Sequence, residues 1–150
     1  MFKTKTVILF IITISVVATT LWYISTHVYS LYGDKIETVK IGNSEFRSEV
    51  VSSDAKIQKG LGGRSGLYDS CAMLFKFPRA GTYSFWMKDM RFPLDIIWIL
   101  DGKIVHIEKN ISEKFSGTLS PQVDADSVLE INAGIADKIG IKISDKTSFN

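Results

Sequence analysis

Leu94-Asp95-Ile96-Ile97-Trp98-Ile99-Leu100-Asp101-Gly102-Lys103-Ile104-Val105-His106-Ile107-Glu108-Lys109 is the stretch on which the fold turns. Two apolar-rich runs flank Asp101-Gly102. An Asp-Gly pair between such runs signals a type I′ β-hairpin, because both turn residues need positive φ. A two-residue loop also fixes register: Leu100 opposite Lys103, Ile99 opposite Ile104, Ile97 opposite His106 and Asp95 opposite Glu108. Strict alternation then puts Leu94, Ile96, Trp98, Val105 and Ile107 on one face. Asp95, Ile97, Ile99, Ile104, His106 and Glu108 share the other. The first strand is apolar on both faces, the pattern of a central strand covered on both sides.

Outward from the hairpin, the same two-residue period predicts strands over 36–41 and 45–51, split by Gly42-Asn43-Ser44. Ser53 or Asp54 caps a short helix through Leu61, which brings Ile57 and Leu61 onto one face. Gly60, Gly62, Gly63 and Gly66 end that helix in a loop. Further strands are expected over 72–77, 82–87 and 127–132, with Pro78 and Pro93 as punctuation. Residues 109–126 lack periodicity and form a long excursion. A helical turn is expected over 133–139, and a last strand follows it. The class is all-β with one or two short helices, closed as a sandwich or barrel.

The amino-terminal part is of a different kind. No Asp, Glu, Lys, Arg or His occurs from Thr6 to Thr26. A helix of that length spans about 31 Å, close to the ~30 Å hydrocarbon core of a bilayer. Lys3 and Lys5 precede it, and Trp22 and Tyr23 lie near its far end, where amphipathic rings favour the interface. Residues 1–30 therefore read as an uncleaved signal anchor with a transmembrane helix over about 6–26, amino terminus cytoplasmic. A linker at 31–37 leads to an extracytoplasmic domain at 38–150, periplasmic or on the cell surface. The competing reading is a cleaved signal peptide and a secreted protein. Its best cut site, Val28-Tyr29-Ser30, is a poor one, and the apolar run is longer than such peptides need.

Charge and cysteine content narrow the function classes. The 150 residues carry 18 Lys+Arg against 16 Asp+Glu. Lys3 and Lys5 supply that excess, so residues 34–150 are formally neutral, with 16 charges of each sign, and nucleic acid is excluded as a partner. One cysteine precludes an internal disulfide or a multi-cysteine metal cluster, and two histidines preclude a three-histidine site in one chain. No cofactor motif is present. The glycines near residue 60 lack the Gly-Lys-Ser/Thr of a phosphate loop.

Five blocks carry a resemblance. They are Gly60-Leu61-x-x-Arg64, Met73-Leu74-Phe75, Phe85-Trp86-Met87-Lys88, Pro93-Leu94-Asp95-Ile96, and Val128-Leu129-Glu130-Ile131-Asn132-Ala133-Gly134. In this order, over about residues 38–150, the chain resembles the family called domain of unknown function 192. The resemblance implies a jelly-roll-like β-sandwich, often exported or lipid-anchored in prokaryotes, with no established activity. The family pattern commonly has Met where this chain has Gly62, and Asn-Thr where it has Asp89-Met90. Any ligand contact made through that Asn differs here.

Within this frame the candidate site residues are Arg64, Trp86, Lys88, Asp95 and Glu130. Trp86 offers aromatic area, and Lys88 and Asp89 offer polar groups to orient a ligand such as a sugar. Met87 on the opposite strand face would then be core. Arg64 is either an anion clamp or one half of an ion pair with Asp95 or Glu130, since an isolated carboxylate in an apolar strand needs a partner. These residues point to a binding or accessory module for a small polar ligand, a glycan or an envelope protein. The rival class is a hydrolase or metal-assisted enzyme using Asp95, His106 and Glu108, which the predicted register puts on one face. A structural envelope protein is the third alternative. Cys71, beside Ala72-Met73-Leu74-Phe75, reads as a buried, inert thiol.

Overall fold

The computed structural model describes residues 11–20 and 35–150. The chain divides after Ile36 into two units. In the first, residues 11–20 form a helix, α1, with exposed side chains at Ile11, Ile12, Ile14, Val16 and Val17. Two of its threonines satisfy their hydroxyls within the helix. Thr19 Oγ1 donates to the carbonyls of Ser15 and Val16, and Thr20 Oγ1 to those of Val16 and Val17. No described helix is long and apolar enough to cross a membrane. Of the expected span over 6–26, only 11–20 belong to the described residues. Lys3, Lys5, the alternative cut site at Val28-Tyr29-Ser30 and most of the linker lie outside them.

The second unit is mostly strand. Its strands are β1 (Lys35–Ile41), β2 (Ser44–Val51), β3 (Cys71–Gly81), β4 (Phe85–Trp86), β5 (Leu94–Leu100), β6 (Lys103–Ile111), β7 (Thr118–Leu119), β8 (Ala125–Asn132) and β9 (Thr147–Phe149). Two short helices, α2 (Asp54–Lys59) and α3 (Ile135–Lys138), interrupt them. Seven strands form one sheet in the order β6-β5-β8-β3-β2-β1-β9, while β4 and β7 pair separately. The sheet curls into a half-barrel, so the curled form is realised rather than two packed sheets. β2 and β3 run parallel. That pairing demands a crossover, and α2 with the loop after it supplies the crossover.

Two tight turns match their residue types. Gly42 has φ 59 between β1 and β2, and Asp101 and Gly102 have φ 49 and 68 between β5 and β6, as a type I′ turn requires. Near the turn the predicted register holds, with Leu100 opposite Lys103 and Ile99 opposite Ile104. Beyond it two irregularities intervene. Trp98 faces His106, Ile97 faces Ile107, Ile96 faces Glu108 and Leu94 faces Ile111. Each irregularity adds one residue to β6, and one extra residue moves all that follow to the opposite face. Asp95 therefore does not face Glu108.

The core lies on both faces of the sheet. Val39, Phe46, Leu74, Ile97, Ile99, Leu129 and Ile131 pack on one face together with Ile135 and Ala136 of α3. Met73, Phe75, Leu94, Ile96, Trp98 and Val128 pack on the other, beneath Leu61, Phe85 and Met87. Every residue of β5 except Leu100 is buried, as its two-sided apolarity predicts. The expected strand over 82–87 shrinks to Phe85–Trp86, which pairs with Thr118–Leu119 inside the long excursion. The carboxy-terminal segment ties the two edges of the curl. Ile104 N–H donates to Asp145 O at 3.0 Å and Thr147 N–H to Gly102 O at 2.8 Å, while β9 pairs with β1.

Candidate functional site

The crossover that permits β2 and β3 to run parallel also builds one wall of a cavity of about 190 Å³. Ile57 to Leu61 form that wall, and Phe77 with Tyr83 to Trp86 form another. The aromatic wall is rigid. Phe77 and Tyr83 stack with ring centroids 3.5 Å apart, and Phe85 meets Phe75 and Trp98 edge-on at 5.0 and 5.6 Å. Trp98 Nε1–H donates to Tyr83 O at 2.9 Å and so anchors the segment that carries the wall. Trp86 is half exposed, and Lys88 is exposed at the edge of the cavity.

Glu130 lies among the residues lining this cavity. Alternation along β8 sends Leu129 and Ile131 to one core and Val128 and Glu130 to the other. Across the sheet, Glu49, Met73, Glu130, Ile96 and Glu108 form one continuous row from β2 to β6. Glu130 is thus flanked by Met73 and Ile96, and it is only 4% exposed. Its Oε2 is buried and has no hydrogen-bond partner. Burial pushes its carboxyl up to about 8, against the opposing pull of the nearby Arg64 charge. Near neutral pH the group is therefore largely a protonated acid. Gly60 packs beside it: a Cβ there would make ordinary contacts, 3.8 Å from Oε2 and 3.6 Å from Phe75 Cζ.

Arg64 has a different partner from either one expected. Its fork takes Glu49, with Nη1 to Oε1 at 2.7 Å and Nη2 to Oε2 at 2.8 Å. The two side chains retain only 14% and 16% exposure, so this bidentate pair pins the glycine loop to β2. A second close approach joins that loop to the segment after β4. Gly63 N–H donates to Asp89 O at 2.8 Å, and a Cβ on Gly62 would come within 2.9 Å of Lys59 O and 3.1 Å of Lys88 O. Asp89 has φ 59, a left-handed conformation that Asp and Asn tolerate better than most residues. Gly62 and Asp89 thus stand where two backbones meet beside the cavity.

The structure brings Trp86, Lys88 and Glu130 to one cavity and leaves Asp95 apart. Asp95 is fully buried on the opposite face of the sheet from Glu130, where Oδ1 accepts Asn110 N–H at 2.7 Å and Oδ2 accepts Ala136 N–H at 2.9 Å. It caps α3, whose own N-cap, Gly134, has no side chain to do so. His106 Nε2 lies 2.9 Å from Glu108 Oε1, and its ring meets Trp98 edge-on. The expected grouping of Asp95, His106 and Glu108 is therefore corrected: the irregular register of β6 puts Asp95 on the opposite face from the other two. Among the described residues, no group of three or more His, Cys, Asp or Glu could hold a metal ion. Cys71, expected to be buried, is half-buried at the start of β3.

Two groups escaped the sequence reading. Glu49 reads as one more polar residue of an alternating strand until the parallel β2–β3 pairing is known. The Phe77–Tyr83 stack straddles Pro78 and carries no periodic signal.

Residues 37–149 match the model of a protein family described as "Uncharacterized ACR", the domain of unknown function 192. A protein of unknown function from Novosphingobium aromaticivorans DSM 12444 has a crystal structure similar to this chain. The TM-score is 0.75 at 34% identity, over 81% of this chain and 90% of that one. A candidate transcription regulator from Sinorhizobium meliloti 1021 is similar at a TM-score of 0.71 and 24% identity, over 76% of this chain and 92% of its own. The second likeness speaks for the fold alone. No curated protein matches the sequence.

Proposed function

This chain belongs to the domain of unknown function 192 family, and from its cavity we propose a membrane-anchored, extracytoplasmic module that binds a small polar ligand over Glu130. One observation carries the reading: Glu130 Oε2 is buried beside a cavity without a hydrogen-bond partner. An unsatisfied buried polar atom costs about 1–3 kcal/mol, and a ligand that supplies its partner recovers that cost on binding. The aromatic wall gives contact area, and Trp86 and Lys88 orient what enters. The charge-free run over 6–26 behind Lys3 and Lys5 supports the anchor and the orientation.

A thermal-shift screen of the full chain in detergent micelles tests the binding. A ligand at a hundred times its Kd adds about 2.7 kcal/mol to the folded state. The reading expects a shift with some small polar compound that Trp86→Ala and Glu130→Gln both diminish. Shifts that survive both substitutions, or none across sugars, amines and carboxylates, overturn it. Reporter fusions to residue 150 test the location separately; activity only in the cytoplasm rules out the proposed topology.

A further inference from the structure

We propose that the cavity over Glu130 receives a small amphoteric amine, its ammonium against the Glu130 carboxylate among aromatic faces and its own carboxylate outward beside Lys88. The inference rests on the cavity being a ligand site and adds the ligand's chemical class.

Three features of the site converge on it. First, the lining is aromatic beside an acid. Phe77, Tyr83, Phe85 and Trp86 line the same space as Glu130. Ring faces carry negative quadrupole charge and attract a cation, most strongly where water is excluded. Second, the nearest guanidinium is already engaged. Arg64 forks onto Glu49 and its charge pulls on Glu130, while Glu130 Oε2 itself has no hydrogen-bond partner and is left for a donor from outside the chain. An ammonium supplies that donor together with the compensating charge. Third, the cavity lining changes sign towards the edge. Lys59 and Lys88 also belong to it, and their charges oppose a bare cation at the mouth while favouring a ligand that carries a carboxylate there. About 190 Å³ accommodates a molecule of ring size and excludes a long peptide or a lipid.

Binding is linked to protons. The ligand ammonium, with a value near 10 like that of lysine, stays charged across the neutral range. Glu130 must give up its proton to meet it, so each binding event below pH 8 releases one proton. The charged groups set around Glu130 are Arg64, Lys59 and Lys88, with Glu49 held by Arg64, while β3 and β5 present Met73, Phe75 and Ile96. His106 lies on β6 across Trp98, paired with Glu108.

Calorimetric titration of the full chain in micelles, from about pH 6 to about pH 9, with 4-aminobutanoate, n-butylamine and butyrate is the test. 4-Aminobutanoate should bind with an affinity that rises about tenfold per pH unit and levels near pH 8. The n-butylamine should bind several-fold more weakly with the same pH slope, and butyrate should not bind. Glu130→Gln, close to isosteric with the protonated acid, should abolish the slope and weaken both amines at least about tenfold. Lys88→Met should erase the preference for 4-aminobutanoate over n-butylamine. Amine affinity that is flat with pH, indifference to Glu130→Gln, or butyrate binding as tightly as the amines overturns the proposal. If the thermal-shift screen then finds a neutral ligand that needs Glu130, the cavity stands as a binding site and only the ligand class falls. If nothing binds, both fall.

Discussion

Glu130 makes the stability of the fold depend on pH in a direction opposite to that of most carboxylates. Its folded value of about 8 lies above the ordinary value of 4.5, so the folded state holds this proton more tightly than the unfolded chain does. Its contribution is complete below about pH 4.5 and is lost as pH rises through about 8. Each unit of displacement is about 1.4 kcal/mol, so several kcal/mol are at stake across that window. Urea midpoints of Glu130→Gln and the unsubstituted protein should nearly coincide in mild acid and diverge as pH rises, with the variant the more stable. A constant difference from acid to alkali refutes the assignment. Arg64 and Glu49 are the second pair that decides stability at this scale. Arg64→Ala or Glu49→Ala alone should cost about 2–4 kcal/mol, because each leaves a charge largely buried. The double variant should cost less than the sum, and a double-mutant cycle measures the coupling.

At the scale of elements, α3 depends on a strand far from it in sequence. Asp95 on β5 holds the N–H groups of Asn110 and Ala136. Asp95→Ala should cost about 2–4 kcal/mol and Asp95→Asn less, since the amide retains one acceptor. Equal losses in chemical denaturation would show that the acceptors contribute little. The hairpin that bears Asp95 also marks how far sequence reasoning reached. The Asp101-Gly102 turn and the two-sided burial of β5 were legible from residue type and period. The register of β6 was not, because its extra residues obey no local rule. Asn110, with φ 55, sits in β6 near one irregularity, where its N–H reaches Asp95. Of the site, Trp86 and Lys88 were legible as an aromatic-and-charged segment, and Glu130 as a lone carboxylate in an apolar strand. The pairing of Arg64 with Glu49 was hidden, since parallel β2–β3 pairing leaves no periodic trace. Gly62 shows the same limit: only the folded loops reveal that Lys59 O and Lys88 O crowd it. Gly62→Ala should therefore destabilise by about 1–3 kcal/mol, or displace the loop beside the cavity, readable as altered ligand affinity.

At the scale of the whole domain, the half-barrel hangs together through its last residues. β9 pairs with β1, and the preceding segment bonds to the turn between β5 and β6. Removing residues 144–150 uncovers ladder groups on both strands at once, and open edges recruit other chains. Light scattering on heating should then begin at a lower temperature than for the intact chain, whereas unchanged scattering would show that other elements guard the edges. Pairing of Val39 with Phe149 has a further consequence in time. A ribosome makes β9 after every other strand of the sheet, so one side of β1 stays open until all of them have been made. Contacts so distant in sequence slow folding. Closure of the β1 edge must follow synthesis of β9, and until then the nascent sheet is one strand short and open to chaperones and proteases.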